Sequence, residues 1–139
     1  MKVLLDTNIL IDAFTDREPF ADSAGQVLLA AELKKIDGYI TPNTLIDANY
    51  HLRHYFHNKQ TAREYTKSLL KLLKIIDLVE VDCYQAHHSE MTDFEDAVLA
   101  FSASRHGIDH IITRNIKDFK NSPVPAITPQ KFLKDYLEK

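Results

Sequence analysis

One cysteine, Cys83, stands in 139 residues, so no intramolecular disulfide can form and no zinc-type Cys/His cluster is available. That usage fits a reducing compartment, and a cytoplasmic location is expected. Glycine is scarce (3) and proline modest (5), which argues against long disordered linkers. No apolar run approaches the roughly 18 residues of a membrane span. The N-terminal run Val3-Leu4-Leu5 reaches an acid at Asp6, too soon for the core of a signal peptide. There is no repeat, low-complexity tract or second-domain boundary, so residues 1–139 read as one domain with its own core.

Positive charge is also in deficit. Lys and Arg number 17 against 20 acids, a net charge of −3. The distribution is uneven, however. Residues 51–76 carry six Lys/Arg (Arg53, Lys59, Arg63, Lys67, Lys71, Lys74) against Glu64 alone, a local charge of +5 that leaves −8 for the rest. A basic surface can therefore lie beside an acidic pocket.

What is present is an alternation of strand and helix signals. Residues 2–5 read as a first strand and 8–14 as a short helix. A second helix is expected over 20–35, ended by Asp37-Gly38, because Phe20, Ala24, Val27, Leu28 and Ala31 recur at helical spacing. Tyr39-Ile40-Thr41 gives strand two, and Pro42 suits the first turn of a helix over 43–56. Tyr65, Leu69, Leu72, Leu73 and Ile76 set a helix over 61–76. Leu78 to Val81 reads as strand three, with Asp82 capping the helix after it. A helix from Asp93 to His106 ends at Gly107, followed by strand four at His110–Thr113. Val124–Thr128 reads as an edge strand, and Pro129 opens a last, Lys-rich helix. Alternating βα units imply a mainly parallel sheet of four or five strands between helical layers, an α/β/α sandwich. Ligands in such sheets sit outside the carboxyl ends of the strands.

The acids fall at those ends. Asp6 follows strand one, Asn115 and Asp118 follow strand four, and Asp47 and Asp93-Phe94-Glu95-Asp96 lie on helices near strand ends. Carboxylates drawn together from distant parts of a chain repel, and the usual remedy is a divalent cation. The pattern points to metal-dependent cleavage of phosphodiesters. Each acid also has a plain structural use: Asp6 and Asp93 as helix caps, Asp47 as a solvated helix acid, Asn115 and Asp118 as turn formers. Asp12 reads as solvated.

At this point the chain resembles the PIN domain family of metal-dependent ribonucleases. The resemblance rests on Val3-Leu4-Leu5-Asp6-Thr7-Asn8-Ile9-Leu10-Ile11-Asp12, Ile40-Thr41-Pro42-Asn43-Thr44-Leu45-Ile46-Asp47, Asp93-Phe94-Glu95-Asp96-Ala97 and Thr113-Arg114-Asn115-Ile116-Lys117-Asp118-Phe119, in that order across nearly the whole chain. Asp16-Arg17-Glu18-Pro19-Phe20 is similar to the branch containing VapC-like toxins. The resemblance implies a PIN-like fold and an endoribonuclease that leaves 5′-phosphate and 3′-hydroxyl ends. Asp6, Asp47, Asp96 and Asp118 would be its catalytic acids. Asp6, Asp96, Asp118, Asn115 and Asp93 would hold Mg²⁺ or Mn²⁺. Asp47 stands where the family usually has Glu, and Asn115 where many members have Asp. It further implies a toxin–antitoxin pair, with RNA as substrate, a cognate antitoxin as partner, and a homodimer. The alternative is a PIN-like domain without chemistry, serving as an RNA- or protein-binding module.

Other features are less specific. Arg63, Lys67, Lys71 and Lys74 fall on one helical face, either a solvated face or a track for RNA phosphates. His51, His54 and His57 have near-helical spacing but no accompanying zinc ligands. Thr7 or Thr113 is placed to orient a ligand or touch the scissile phosphate. Tyr50, Tyr55 and Tyr65 could stack on bases, though packing is the commoner use of such rings.

Overall fold

The computed structural model describes residues 1–138. Five strands, β1 (Lys2–Leu5), β2 (Asp37–Ile40), β3 (Lys74–Ile75), β4 (His110–Ile112) and β5 (Ala126–Ile127), form one sheet in the order β3-β2-β1-β4-β5. Every pairing is parallel. Seven α-helices cover it: α1 (Thr7–Phe14), α2 (Ala21–Glu32), α3 (Pro42–Phe56), α4 (Lys59–Leu72), α5 (Glu80–His88), α6 (Phe94–Arg105) and α7 (Pro129–Phe132). The last runs on into a π-turn over Leu133–Leu137, and a 3-10 turn spans Ile116–Phe119. None of the helices is long and apolar enough to cross a membrane.

Strand alternation builds the three layers. Val3 and Leu5 of β1 and Ile112 of β4 enter one apolar cluster with Ile9, Val27, Leu69 and Phe132, beneath α1, α2, α4 and α7. Leu4 and Ile111 point the other way, into a second cluster with Ala97, Ala100 and Ala103 of α6. Both faces of the central strands are buried, so their sequences read as unbroken apolar runs. The expected α/β/α sandwich is present, with five strands.

The local signals explain most boundaries. Thr41 caps α3 through a hydrogen bond from Thr44 N, with Pro42 in its first turn. Gly107 has φ +69°, the left-handed conformation that a helix end needs and glycine supplies without strain.

Four expectations need correction. Asp37-Gly38 does not close α2, which ends at Glu32; it opens β2, where Gly38 lets Leu73 come within 2.6 Å of the point a Cβ would occupy. The helix expected over 61–76 starts earlier, at Lys59, capped by Asn58, whose Oδ1 accepts from Gln60 N and Thr61 N, and stops at Leu72. Strand three lies at Lys74–Ile75, not at Leu78–Val81, because Lys74-Ile75 pairs with Tyr39-Ile40 while Leu73 and Ile76 keep the apolar spacing of the helix before it. Asp82 does not cap α5 from outside. It lies within the first turn, where its Oδ2 accepts from Val79 N at 3.0 Å and from Arg105 Nη2 at 2.9 Å.

Candidate active site

The chain reverses direction across the sheet at β1. From there it steps outward through β2 to β3, then returns past β1 to β4. The crevice at the carboxyl ends of β1 and β4 is the place where such folds bind ligands. Asp6 comes directly after β1 and Thr113 directly after β4, and Thr113 Oγ1 donates to Asp6 Oδ2 at 2.8 Å. Asp6 Oδ1 accepts from Thr7 N at 2.8 Å, which caps α1. Asn8 Nδ2 lies 3.2 Å from Asp6 Oδ2 and 3.3 Å from Thr113 Oγ1. The Asn8 Oδ1 accepts from Arg114 N at 3.3 Å, so the β4 loop is fastened to the start of α1.

A cavity of about 430 Å³ opens over this network. Its walls include Asp6, Asp47 of α3, Asp93 and Asp96 at the start of α6, and Asn115 and Asp118 around the 3-10 turn. The structure therefore brings all six acid-site candidates to one pocket. Asp93 also caps α6, its Oδ1 accepting from Asp96 N at 2.9 Å. A larger hollow of about 760 Å³ lies elsewhere, beside Asp37 and Gly38 at the opposite ends of the strands.

Like charges and burial act on these carboxyls. Burial raises Asp6 above the usual carboxylate range; hydrogen bonds from Thr113 and Thr7 pull it down, but Asp118 and Asp93 add to the rise. Asp96 is pushed up to about 7, by burial first and then by the charges of Asp6, Asp93, Asp118 and Glu95. A cation placed among these groups would reverse that penalty. The donors are carboxylate and amide oxygens with no thiolate, a set suited to Mg²⁺ or Mn²⁺ rather than to zinc. Among the described residues, no three His, Cys, Asp or Glu side chains are drawn tightly enough together to enclose an ion. Mg²⁺ keeps several waters and takes few protein carboxylates, so an open set of this kind fits its chemistry.

The basic stripe is not part of the pocket. Lys71 and Lys74 line the hollow at the opposite ends of the strands, and Arg63 and Lys67 line neither cavity. Nor do the four share a helical face, because α4 ends at Leu72 and Lys74 belongs to β3. Tyr65 packs between Phe14 (4.7 Å between centroids) and Phe56 (5.3 Å, stacked). Tyr50 is 60% exposed and its ring lies 4.4 Å from that of His54.

Sequence reasoning gave no role to Asn8, Arg17, His51, Glu95 or Arg114, which also line the pocket. It misread Asp12. That carboxylate is fully buried and takes hydrogen bonds from Arg114 Nε and, at 3.2 Å, from Nη2. Its partner lies 102 residues away, a separation at which no local pattern signals a pair.

Comparison with known proteins bears on the family and the fold. A PIN domain family model matches residues 2–117. No curated protein matches. VapBC2 from Rickettsia felis, bound to a DNA fragment from its promoter, superposes with TM-score 0.70 at 22% identity, covering 92% of this chain and 98% of that one. A toxin–antitoxin complex from Klebsiella pneumoniae superposes with TM-score 0.67 at 27% identity, covering 91% and 97%. FitAcB from Neisseria gonorrhoeae superposes with TM-score 0.68 at 20% identity, covering 92% and 98%.

Proposed function

The chain belongs to the PIN domain family, and from that premise we propose that it is a Mg²⁺- or Mn²⁺-dependent endoribonuclease acting as the toxin of a toxin–antitoxin pair. The observation that carries the reading is the convergence of Asp6, Asp47, Asp93, Asp96 and Asp118 on one crevice at the reversal point of the sheet. The similarity to VapBC2 and to the Klebsiella pneumoniae toxin–antitoxin complex supports the toxin part; to this the proposal adds a small antitoxin as inhibitor and a homodimer as the working unit.

Asp6, Asp96 and Asp118 would hold the ion, with Asn115 and Asp93 at its edge. Bound there, the ion would offset charge on the phosphate and ease the loss of a proton from water. The chain's own residues set the geometry. Thr113 and Asn8 hold the Asp6 carboxylate in place. Asp47, half-buried on α3, faces the crevice from a second layer with no side-chain hydrogen bond among the described residues, which leaves it able to orient a water or accept its proton.

The test is cleavage of structured and unstructured RNAs by the purified protein in Mg²⁺, Mn²⁺ or EDTA. Activity is expected with the metals, none with EDTA, and none from Asp96→Asn or Asp6→Asn proteins of unchanged circular dichroism. Undiminished cleavage by an Asp6→Asn, Asp96→Asn double variant would remove these residues from the chemistry.

A further inference from the structure

The pocket has an unassigned cation. Arg17 lines it, on the turn between α1 and α2. Its main chain is fixed: Arg17 N donates to Asp12 O at 3.1 Å, and its carbonyl accepts from Phe20 N at 2.9 Å and Ala21 N at 2.8 Å. The side chain is exposed, and its guanidinium lies 5.9 Å from the centre of the Phe20 ring. Arg114 lies over the same ring at 4.4 Å. The two arginines differ in one respect. The Arg114 guanidinium is neutralised by buried Asp12, whereas that of Arg17 meets no carboxylate among the described residues. An arginine beside so many acids, yet paired with none, keeps its forked donors for something else.

We infer that Arg17 is the phosphate-gripping side chain of this pocket, donating to the non-bridging oxygens of an RNA phosphodiester that lies over the carboxylates. This rests on the nuclease reading and adds to it the residue that takes the substrate's charge. A planar fork suits the two oxygens of a phosphodiester, and the Phe20 ring limits the directions in which it can swing. In an acidic pocket a cationic side chain on the substrate side adds to whatever a metal ion contributes in offsetting the strand's charge. Arg114 is less free to turn toward a strand, because its Nε and Nη2 are held by buried Asp12.

The experiment compares wild-type protein with Arg17→Gln and Arg17→Lys. Binding of a short fluorescein-labelled single-stranded RNA is measured by anisotropy in Ca²⁺, and single-turnover cleavage of the same RNA in Mn²⁺. Mn²⁺ affinity is measured by calorimetry and stability by thermal melting. Arg17→Gln is expected to weaken binding about tenfold, the low end for a charged hydrogen bond at an exposed site. It is expected to slow cleavage about 100-fold, as removal of one charge-stabilising donor does. Mn²⁺ affinity and melting temperature stay at wild-type values, and Arg17→Lys falls between. Arg17→Gln indistinguishable from wild type in binding and cleavage overturns the assignment while the nuclease reading stands. Wild type that binds without cleaving removes the cleavage reading, and the affinity of Arg17→Gln alone then decides for Arg17. Wild type that neither binds nor cleaves overturns both.

Discussion

Removing the Asp12 carboxylate tests the account of how the pocket is held. Asp12 has a side chain 1% exposed, and Arg114 one 22% exposed. The pair ties α1 to the loop that carries Asn115 and Asp118. In Asp12→Ala both charge-assisted hydrogen bonds disappear and a largely covered guanidinium is left without its anion. Breaking a buried pair from one side costs about 3–5 kcal/mol, and the water that reaches Arg114 places this case near the lower limit, about 3 kcal/mol. For a domain of this length the unfolding entropy is about 0.29 kcal/mol/K, so the melting temperature should fall by about 10 °C. Asp12→Asn keeps the shape and one acceptor and should lose roughly half as much. The pair replaced together by Asp12→Leu and Arg114→Met should recover most of the loss, since the desolvated charge is gone from both sides. Thermal melts and urea titrations on the four proteins measure these differences. An Asp12→Ala protein within about 1 kcal/mol of wild type, a difference typical of exposed ion pairs, would refute the argument.

Four further outcomes follow from the same contacts. The folded chain holds a proton on Asp96 up to about 7, against 3.8 for the ordinary group, so it binds more protons than the unfolded chain between those values; its contribution to stability therefore falls as pH rises through that window, and EDTA-treated protein should lose melting temperature from about pH 4, levelling off above about pH 7, less so in Asp96→Asn. Mn²⁺ should raise the melting temperature more at the upper end of that range, where no proton competes for the site, and chelation should reverse the gain. Thr113→Val removes a buried hydroxyl that donates to Asp6 and accepts from Asn115 N at 3.0 Å; it should cost about 1–3 kcal/mol in denaturant and weaken Mn²⁺ binding in calorimetry. Lys71→Ala and Lys74→Ala, at the opposite ends of the strands from the acids, should leave the cleavage rate at its wild-type value in a single-turnover assay.

The fold was legible because its two main periodicities do not compete. Val3-Leu4-Leu5 and Ile111-Ile112 are buried on both faces and read as strands, while α3, α4 and α6 carry caps or spaced apolar residues. Strand three was misplaced where these signals overlap. Leu69, Leu73 and Ile76 keep a helical rhythm across the helix end, so nothing in the sequence marks Lys74-Ile75 as an edge strand. The gathering of acids was legible for a topological reason: residues after parallel strands share one end of the sheet. The contacts that hold them were not, because Asn8–Thr113 spans 105 residues and Asp12–Arg114 spans 102. The stretches that hold Arg17 and His51 gave neither residue a place at the site, and only the folded chain sets them beside the acids.

The described acids sort into two kinds by what their oxygens touch. Asp12 is answered by Arg114. Asp82 is buried, which works against its charge, yet Arg105 and the Val79 N–H outweigh burial and hold it below the usual carboxylate range. These groups are complete without a ligand, and their work is to join α1 to the β4 loop and α5 to α6. Asp47, Asp96 and Asp118 differ: they line the pocket, none is fully exposed, and none has a side-chain hydrogen bond among the described residues. Asp6 lies between the two kinds. It caps α1, and its Oδ2 is held by Thr113 and Asn8, yet among the described residues Oδ1 accepts from Thr7 N alone and keeps a lone pair for coordination. The N-termini of α1 and α6 both open at this pocket, and their partial positive ends favour negative charge there by about 0.3–1 kcal/mol each. That is too little to offset burial and four neighbouring acids, as the raised Asp6 and Asp96 attest. The remaining imbalance is what a divalent ion corrects. If Asp96 instead drew its elevation from burial alone, replacing Asp118 and Asp93 with asparagine would leave its titration unmoved; the charge argument requires it to fall, and carboxyl NMR on the metal-free protein distinguishes the two.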